Sequence, residues 1–334
     1  MLLLMFISQI DERIPSMAFV SQCTADVIQR AAKALTDGYL VAFPTETVYG
    51  LGADASSSEA VARIYSVKGR PADHPLIVHI ASMHDMDKWA INIPEYAIKL
   101  ARECWPGPMT LVLKRSELAK DFITGGQDSV GVRVPNHPIA LAVLEEFQKF
   151  GGHGVAAPSA NRFGAVSPTT AEAVQEELSD YLGTEDLILD GGNSQVGVES
   201  TIIDCTSDKP SILRSGAVTE EMLRRELNQA ELFQKETSGV RVSGALNSHY
   251  SPKCKVMIGE SPAIGDGFIA LAKFETPAGV IRLSSPKDMN EFAYQLFNAM
   301  RDADRMNLSR IVIWPPENEG IGKAILDRVT KAAY

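Results

Sequence analysis

Short apolar runs, each closed by a glycine, a proline or a polar turn, recur through the first two thirds of this 334-residue chain, with helical patterns between them. No other feature limits the fold so strongly, because runs of this length suit buried strands and the intervening 3.6-residue spacing suits covering helices. The strand runs are Tyr39–Phe43, Leu76–Ile80, Thr110–Leu113, Val130–Val134, Val155–Ala157, Leu187–Leu189, Thr201–Asp204 and Ile212–Arg214. Helical spacing covers Thr24–Asp37, Ser58–Val67, Pro94–Cys104, Pro138–Phe150 and Thr170–Leu178. In the first of these Thr24 is a cap, Val27, Ile28, Ala31 and Leu35 form a stripe, and Gly38 is a stop. The pattern predicts an α/β domain built on a large mixed sheet.

From Glu231 to Pro252 the texture changes to Lys, Glu, Ser, Gly and Asn, which reads as a linker. Beyond it, strands are expected at Lys255–Ile258, Phe268–Ala272, Val280–Leu283 and Ile311–Trp314, with helices at Asp288–Met306 and Ile321–Ala333. That alternation argues for a small parallel-sheet α/β domain. Residues 1–21 are expected to be a non-structural leader, with Met17 as the working start. The expected divisions are therefore 1–21, 22–228, a linker at 229–252, and 253–334.

Composition excludes several classes. With 45% hydrophobic and 22% charged residues the chain is ordinary globular material. No apolar run approaches the ~20 residues of a membrane span. The formal charge of −10 argues against non-specific coating of nucleic acid, which draws on many phosphate contacts. Cys23, Cys104, Cys205 and Cys254 are scattered and form no C-x-x-C pair, as in a chain kept in a reducing cytoplasm.

Sharp motifs fail on inspection. Gly50-Leu51-Gly52-Ala53-Asp54-Ala55 has dinucleotide-fingerprint spacing, but six residues part Phe43 from Gly50 and no helix opens directly. Gly192 and Gly197 have P-loop spacing, with Val198 and Glu199 where Lys and Ser/Thr belong. His74 and His79 lie five apart, odd spacing that sends strand side chains to opposite faces and disfavours a shared metal. Ser159, in Ala157-Pro158-Ser159-Ala160-Asn161, lacks the glycine elbow of a hydrolase nucleophile.

What remains is a series of hydroxyl and cationic residues where strands meet loops. It runs through Pro44–Gly52, Lys68-Gly69-Arg70-Pro71, Trp105–Pro108, Thr124-Gly125-Gly126, Arg133, Pro158–Asn161, Ser167-Pro168-Thr169, Gly197–Thr201 and Arg214. Each segment alone is ordinary turn chemistry. Together, Lys68, Arg70, Arg133 and Arg214 border apolar strands or Gly/Pro turns instead of lying in a charge run. Several cations converging on a crevice at strand ends imply an anionic ligand, and guanidinium forks suit phosphate or carboxylate.

This ordered set resembles the threonylcarbamoyl-AMP synthase family, enzymes with a YrdC-like domain, in its long two-domain form. The resemblance covers residues 22–334 and is strongest over 39–216. His249-Tyr250-Ser251-Pro252 resembles the family's linker signature H-Y-A-P, and Gly320-Ile321-Gly322 through Ala332 resembles the close of its second domain. It implies a YrdC-like twisted mixed sheet with helices, followed by a small Rossmann-like parallel-sheet domain. It also implies a nucleotidyltransferase, a cytoplasmic enzyme that makes threonylcarbamoyl-AMP and pyrophosphate from L-threonine, bicarbonate and ATP for tRNA threonylcarbamoyladenosine modification.

By motif position, Lys68, Arg70, His74, Thr124, Ser159, Ser167, Arg214 and Tyr250 would contact ATP. Thr45, Thr47, His79, Arg133, Ala157 and Ser200 would cradle threonine, and Tyr250 would fold back over the nucleotide. His74 stands where the family often has Asn. Mg²⁺ is implied through the ATP phosphates, with no protein ligand assigned. Transient contact with a downstream tRNA threonylcarbamoyl transferase complex follows from the product, and direct binding of tRNA stays open. Hydrogenase-maturation carbamoyltransferases share the YrdC-like domain but add an acylphosphatase-like domain and paired C-x-x-C motifs, which this chain lacks. The other alternative is a double-stranded RNA-binding or ribosome-assembly module, against which the acidic charge weighs.

Overall fold

The computed structural model describes residues 20–227, 239–244 and 249–334. The chain runs through β1 (Val20–Gln22), α1 (Ala25–Thr36), β2 (Val41–Phe43), β3 (Gly50–Asp54), α2 (Ser58–Lys68), β4 (Ile77–His79), α3 (Met86–Trp89) and α4 (Glu95–Cys104). It continues with β5 (Met109–Lys114), α5 (Asp121–Thr124), β6 (Ser129–Arg133), α6 (Pro138–Lys149), β7 (Val155–Ala156), α7 (Ala171–Leu178), β8 (Leu187–Asp190), β9 (Thr201–Asp204), β10 (Ser211–Arg214) and α8 (Glu220–Glu226). A second unit holds β11 (Lys255–Ile258), β12 (Gly267–Ile269), β13 (Ile281–Ser284), α9 (Met289–Arg305), β14 (Arg310–Ile313) and α10 (Gly322–Ala332).

Local signals set many element ends. The Thr24 hydroxyl accepts from Val27 N at the start of α1, and Ser57 accepts from Ala60 N at the start of α2. Gly69 ends α2 in the left-handed conformation, which glycine adopts without penalty. The first ten strands form one mixed sheet in the order β1-β8-β2-β3-β7-β4-β6-β5-β9-β10. The second sheet, β11-β14-β12-β13, is parallel throughout.

Two differences from the sequence reading have clear causes. Gly50–Asp54 is a strand and not a turn: a Cβ on Gly52 would lie 2.7 Å from the side chains of both Phe43 and Val155, so glycine admits its neighbours. That also disposes of the dinucleotide fingerprint. Residues 20 and 21, expected in the leader, pair as part of β1 with β8 at the sheet edge. Residues 1–19, including Met17, and linker positions 228–238 and 245–248 lie outside the described residues.

Helices cover the sheet unequally. At the β2–β8 end both faces are packed, α1 and α6 burying Val41, Phe43, Leu187 and Leu189 while Ala42, Leu51 and Ile188 face the other core. Over β4, β6, β5 and β9 the strand alternation sends Val78, Val132, Leu111 and Ile203 into one core. The opposite set, Ile77, His79, Gly131, Arg133, Thr110, Ser200 and Ile202, lines open cavities. Facing them lie the described linker residues and the second unit, whose core takes in Val48, Val166 and Val198 of the first.

Candidate functional site

The cleft lies on this uncovered sheet face, where the sequence reading had placed it at strand ends. The mixed topology is the reason. Parallel β4 and β6 bring His79 beside Arg133, and β5, antiparallel to β6 and parallel to β9, brings Ser200 to the same edge. The resulting cleft measures about 460 Å³. A second hollow of about 290 Å³, floored by Thr110, Gly131 and Ile202, adjoins it and shares Ile77 and Ser243.

Nine of the residues expected to bind ligand line the cleft: Thr45, Thr47, His79, Arg133, Ala157, Ser159, Ser200, Arg214 and Tyr250. Arg133 is buried and held by two hydrogen bonds and an ion pair. Its Nη1 donates to Thr47 Oγ1 at 3.0 Å, its Nε to Gly107 O at 3.3 Å, and Nη2 lies 2.7 Å from Glu46 Oε1. A guanidinium carries five N–H donors, and since Nη2 meets Glu46 as an ion pair without a formed hydrogen bond, each terminal nitrogen keeps at least one hydrogen for a ligand. Thr47 Oγ1 is 2.8 Å from Thr45 Oγ1, which donates to Val48 O at 2.6 Å, so the 45–48 turn holds itself rigid beneath the arginine.

Arg214 is anchored by its neighbours too. Its Nε donates to Ser200 O at 3.0 Å, Nη2 to Ser200 Oγ at 3.1 Å and Nη1 to Ser243 O at 3.0 Å. Ser200 Oγ also sits 2.8 Å from Thr110 Oγ1. His79 is buried, and its burial together with the Arg133 charge pushes its pKa down to about 3, so it is neutral near pH 7.

Five expected residues do not line this cleft. Lys68, fully enclosed at the end of α2, donates to Ser159 O at 2.6 Å and Asn161 O at 2.5 Å, clamping the Ser159 loop from behind. Burial and then the Arg70 charge hold its pKa well below the usual lysine value. Arg70 donates to Pro75 O at 3.0 Å, has no partner for Nε, and lies 5.8 Å from the Phe163 ring. His74 meets Phe163 edge-on at 5.3 Å, and Phe163 in turn meets His249 at 6.2 Å. One aromatic ring thereby joins Arg70 and His74 to the cleft wall. Thr124 is buried and receives an Arg115 Nη1 bond at 3.4 Å, three residues before Gln127 of the second hollow. Ser167 is buried and donates to Glu199 Oε1 at 2.6 Å.

The sequence reading missed the acidic partners and the ring cluster. Glu46 and Glu199 both lie in quoted segments, but nothing local says which cation each meets. Glu199 Oε2 accepts from Arg328 Nε of α10 at 2.8 Å. Burial opposes its charge, yet Arg328 and Arg214 outweigh that and hold its pKa down to about 2. His249 and Tyr250 line the cleft together, their rings 4.1 Å apart. Tyr250 stacks on Phe297 at 5.6 Å, and its backbone is left-handed with φ 64°, a conformation uncommon outside glycine. Among the described residues no group of three or more His, Cys, Asp or Glu could hold a metal ion.

Comparisons with known proteins agree over most of the chain. Residues 33–216 match the Sua5/YciO/YrdC family model, described as telomere recombination, and 218–334 match a model described as threonylcarbamoyl-AMP synthase, C-terminal domain. Threonylcarbamoyl-AMP synthase of Pyrococcus abyssi is 40% identical over 325 residues, spanning 92% of this chain and 94% of that protein. Its counterpart from Bacillus subtilis is 35% identical over 327 residues, 92% of each chain. The crystal structure of P. abyssi Sua5 complexed with L-threonine superposes with a TM-score of 0.84 at 36% identity, covering 95% of this chain and 97% of that one.

Proposed function

The chain belongs to the Sua5/YciO/YrdC family in its two-domain form, and on that premise we propose how its cleft makes threonylcarbamoyl-AMP. The enzyme is an L-threonylcarbamoyladenylate synthase, a nucleotidyltransferase that uses ATP and L-threonine. Bicarbonate supplies the third component. The threonine amine adds to bicarbonate with loss of water to give a carbamate. A carbamate oxygen then attacks the α-phosphorus of ATP, the bond to the β-phosphate breaks, and pyrophosphate leaves.

None of these steps needs a protein nucleophile. Positioning in line and screening of phosphate charge supply the acceleration. The two unused N–H groups of Arg133 take the threonine carboxylate as a fork, with Thr45, Thr47, His79, Ala157 and Ser200 around it. Neutral His79 adds no charge there. Arg214, Ser159 and Tyr250 face the nucleotide. Arg70, with its unpaired Nε, and Lys68, which clamps the Ser159 loop, are the cations assigned to its phosphates, with His74, Thr124 and Ser167 as the outer supports. Glu199 of the cleft and Glu46 beside Arg133 are each paired with an arginine, so Mg²⁺ enters as part of the ATP substrate, on the phosphates.

One observation carries the reading: a cleft lined by a half-used arginine fork and by Tyr250 of the linker. Residues 22–228 form the catalytic unit in this proposal, the linker 229–252 closes over it, and 253–334 form the second domain. No helix among the described residues is long and apolar enough to cross a membrane, and the proposed setting is the cytoplasm. The product passes transiently to a tRNA threonylcarbamoyl transferase. The double-stranded RNA alternative finds no support, since the cleft arginines face inward and are bonded within the fold. The test is pyrophosphate release from MgATP with threonine and bicarbonate omitted in turn. Release that needs both is expected; release that needs neither overturns the proposal.

A further inference from the structure

A single helix of the second domain touches the catalytic wall at several points. Arg328 of α10 is fully buried. Its Nε donates to Glu199 Oε2 at 2.8 Å and its Nη2 to Ser215 O at 3.0 Å. Those partners are the chain neighbours of Ser200 and Arg214, which bond each other inside the cleft. The same guanidinium lies over the Tyr250 ring, 5.3 Å from its centre. Three residues on, Lys331 Nζ donates to Gly244 O at 2.7 Å, and Lys331 O accepts from His249 N at 3.2 Å. Helix α10 thereby holds the linker at Gly244 and at His249. Arg328 itself does not line the cleft.

Resting on the synthase reading above, we propose that the second domain takes part in the reaction through Arg328, a positioning residue that fixes Glu199 and Tyr250 on the cleft wall. The groups facing Glu199 are Arg328 from α10, Arg214 from β10, the Ser167 hydroxyl, and His249 and Tyr250 of the linker. Asp327 and Lys331 lie one layer behind, paired with each other and, through Asp327, with Arg328. With Arg328 in place, Glu199 is ionised at every physiological pH, accepts from Ser167, and balances the cations of the cleft. Without it, one cation is gone while burial stays. A buried carboxyl with fewer compensating charges titrates higher, so Glu199 would take up a proton at a higher pH than in the parent chain. Its hold on Ser167 and its attraction to Arg214 would then weaken together.

The experiment uses the full chain with Arg328→Met and Arg328→Lys, measuring kcat and the KM values for threonine and ATP from about pH 5.5 to 8.5. The expected result for Arg328→Met is kcat/KM that falls toward acid along a limb absent from the parent chain and from Arg328→Lys, which keeps the cation. A profile parallel to the parent's, at the same or a uniformly lower level, would overturn the proposal, since a residue with only a structural role lowers activity without adding a titration. So would the same acid limb in Arg328→Lys. Should Arg328→Met fail to fold by thermal melting, Arg328→Lys decides alone. It keeps the charge but cannot span Glu199 and Ser215 as a fork, so a KM about threefold or more above the parent's is expected. KM values equal to the parent's would refute the role. A parent chain that releases no pyrophosphate removes the synthase reading as well; an active parent with unchanged variants removes only the role of Arg328.

Discussion

Gly197 packs directly against the backbone of α9 in the second domain, and its replacement by alanine tests how the two domains are joined. A Cβ there would lie 2.3 Å from Ala293 O and 2.5 Å from Tyr294 Cα of α9, both backbone atoms that no rotamer change can move. Ordinary contact begins near 3.4 Å, so the helix or the Gly197 loop must retreat by about 1 Å. Across that seam run Asn193 Nδ2 to Tyr294 Oη at 3.0 Å, Thr169 Oγ1 to Asn298 Oδ1 at 2.6 Å, and Arg301 Nη2 to Val166 O. A 3.0 Å bond stretched by that much is no longer a hydrogen bond, at about 1 kcal/mol each. The left-handed backbone of Gly197, φ 82°, adds roughly 1–2 kcal/mol for any L-residue. With one or two of these bonds lost, the sum is about 2–4 kcal/mol. Gly192 is the control: its φ of 75° carries the same backbone cost, but a Cβ there meets nothing within 4 Å. Thermal melting should show Gly197→Ala lowered by about 4–16 °C and Gly192→Ala by about 2–8 °C, using roughly 2–4 °C per kcal/mol for a large domain. Equal shifts for the two would refute the argument that the second domain is seated on Gly197. Because Gly197 N donates to Thr47 O at 3.2 Å and Val196 N to Glu46 O at 2.7 Å, the retreat should also raise the threonine KM.

Two further outcomes follow from buried charge. His79 and His249 are each held down to about 3, by burial first and then by neighbouring cations, against about 6.5 in an unfolded chain. A depressed folded value means that the stability is complete above about pH 6.5 and is lost as pH falls toward 3; at pH 5 each histidine accounts for up to about 2 kcal/mol. Urea unfolding at pH 7 and pH 5 should show the loss, and His79→Gln should remove a share of it; a pH-independent midpoint would contradict the assignment. Glu46→Gln leaves the buried Arg133 without its counter-charge, a change of about 3–5 kcal/mol when a buried pair is broken. Added threonine brings a carboxylate to the same guanidinium, so it should raise the melting temperature of Glu46→Gln more than that of the parent. Equal protection of both would argue that Arg133 does not hold the threonine carboxylate.

The parts of the fold legible in sequence are those decided by neighbours along the chain. The Thr24 cap, the Ser58–Lys68 helix and the Thr201–Asp204 strand carry their own signals of capping, periodicity and turn chemistry. Gly50–Asp54 was illegible as a strand because its reason for glycine is the bulk of Phe43 and Val155, the second of them a hundred residues away. The cleft divided in the same way. Arg133 and Arg214 stood out because each ends an apolar strand. Glu46, Glu199 and Arg328 did not, since an acid's role depends on which cation the tertiary fold brings to it, and Arg328 lies 129 residues from Glu199. Lys68 was legible as an important cation, while its grip on the Ser159 and Asn161 carbonyls was not.

The most direct test of the central claim is to identify the product made from threonine, MgATP and isotope-labelled bicarbonate by mass spectrometry. Threonylcarbamoyl-AMP carrying the labelled carbon, formed by the parent chain and lost in Arg133→Ala, is the predicted result. Unlabelled product, or AMP alone with threonine unchanged, would contradict it.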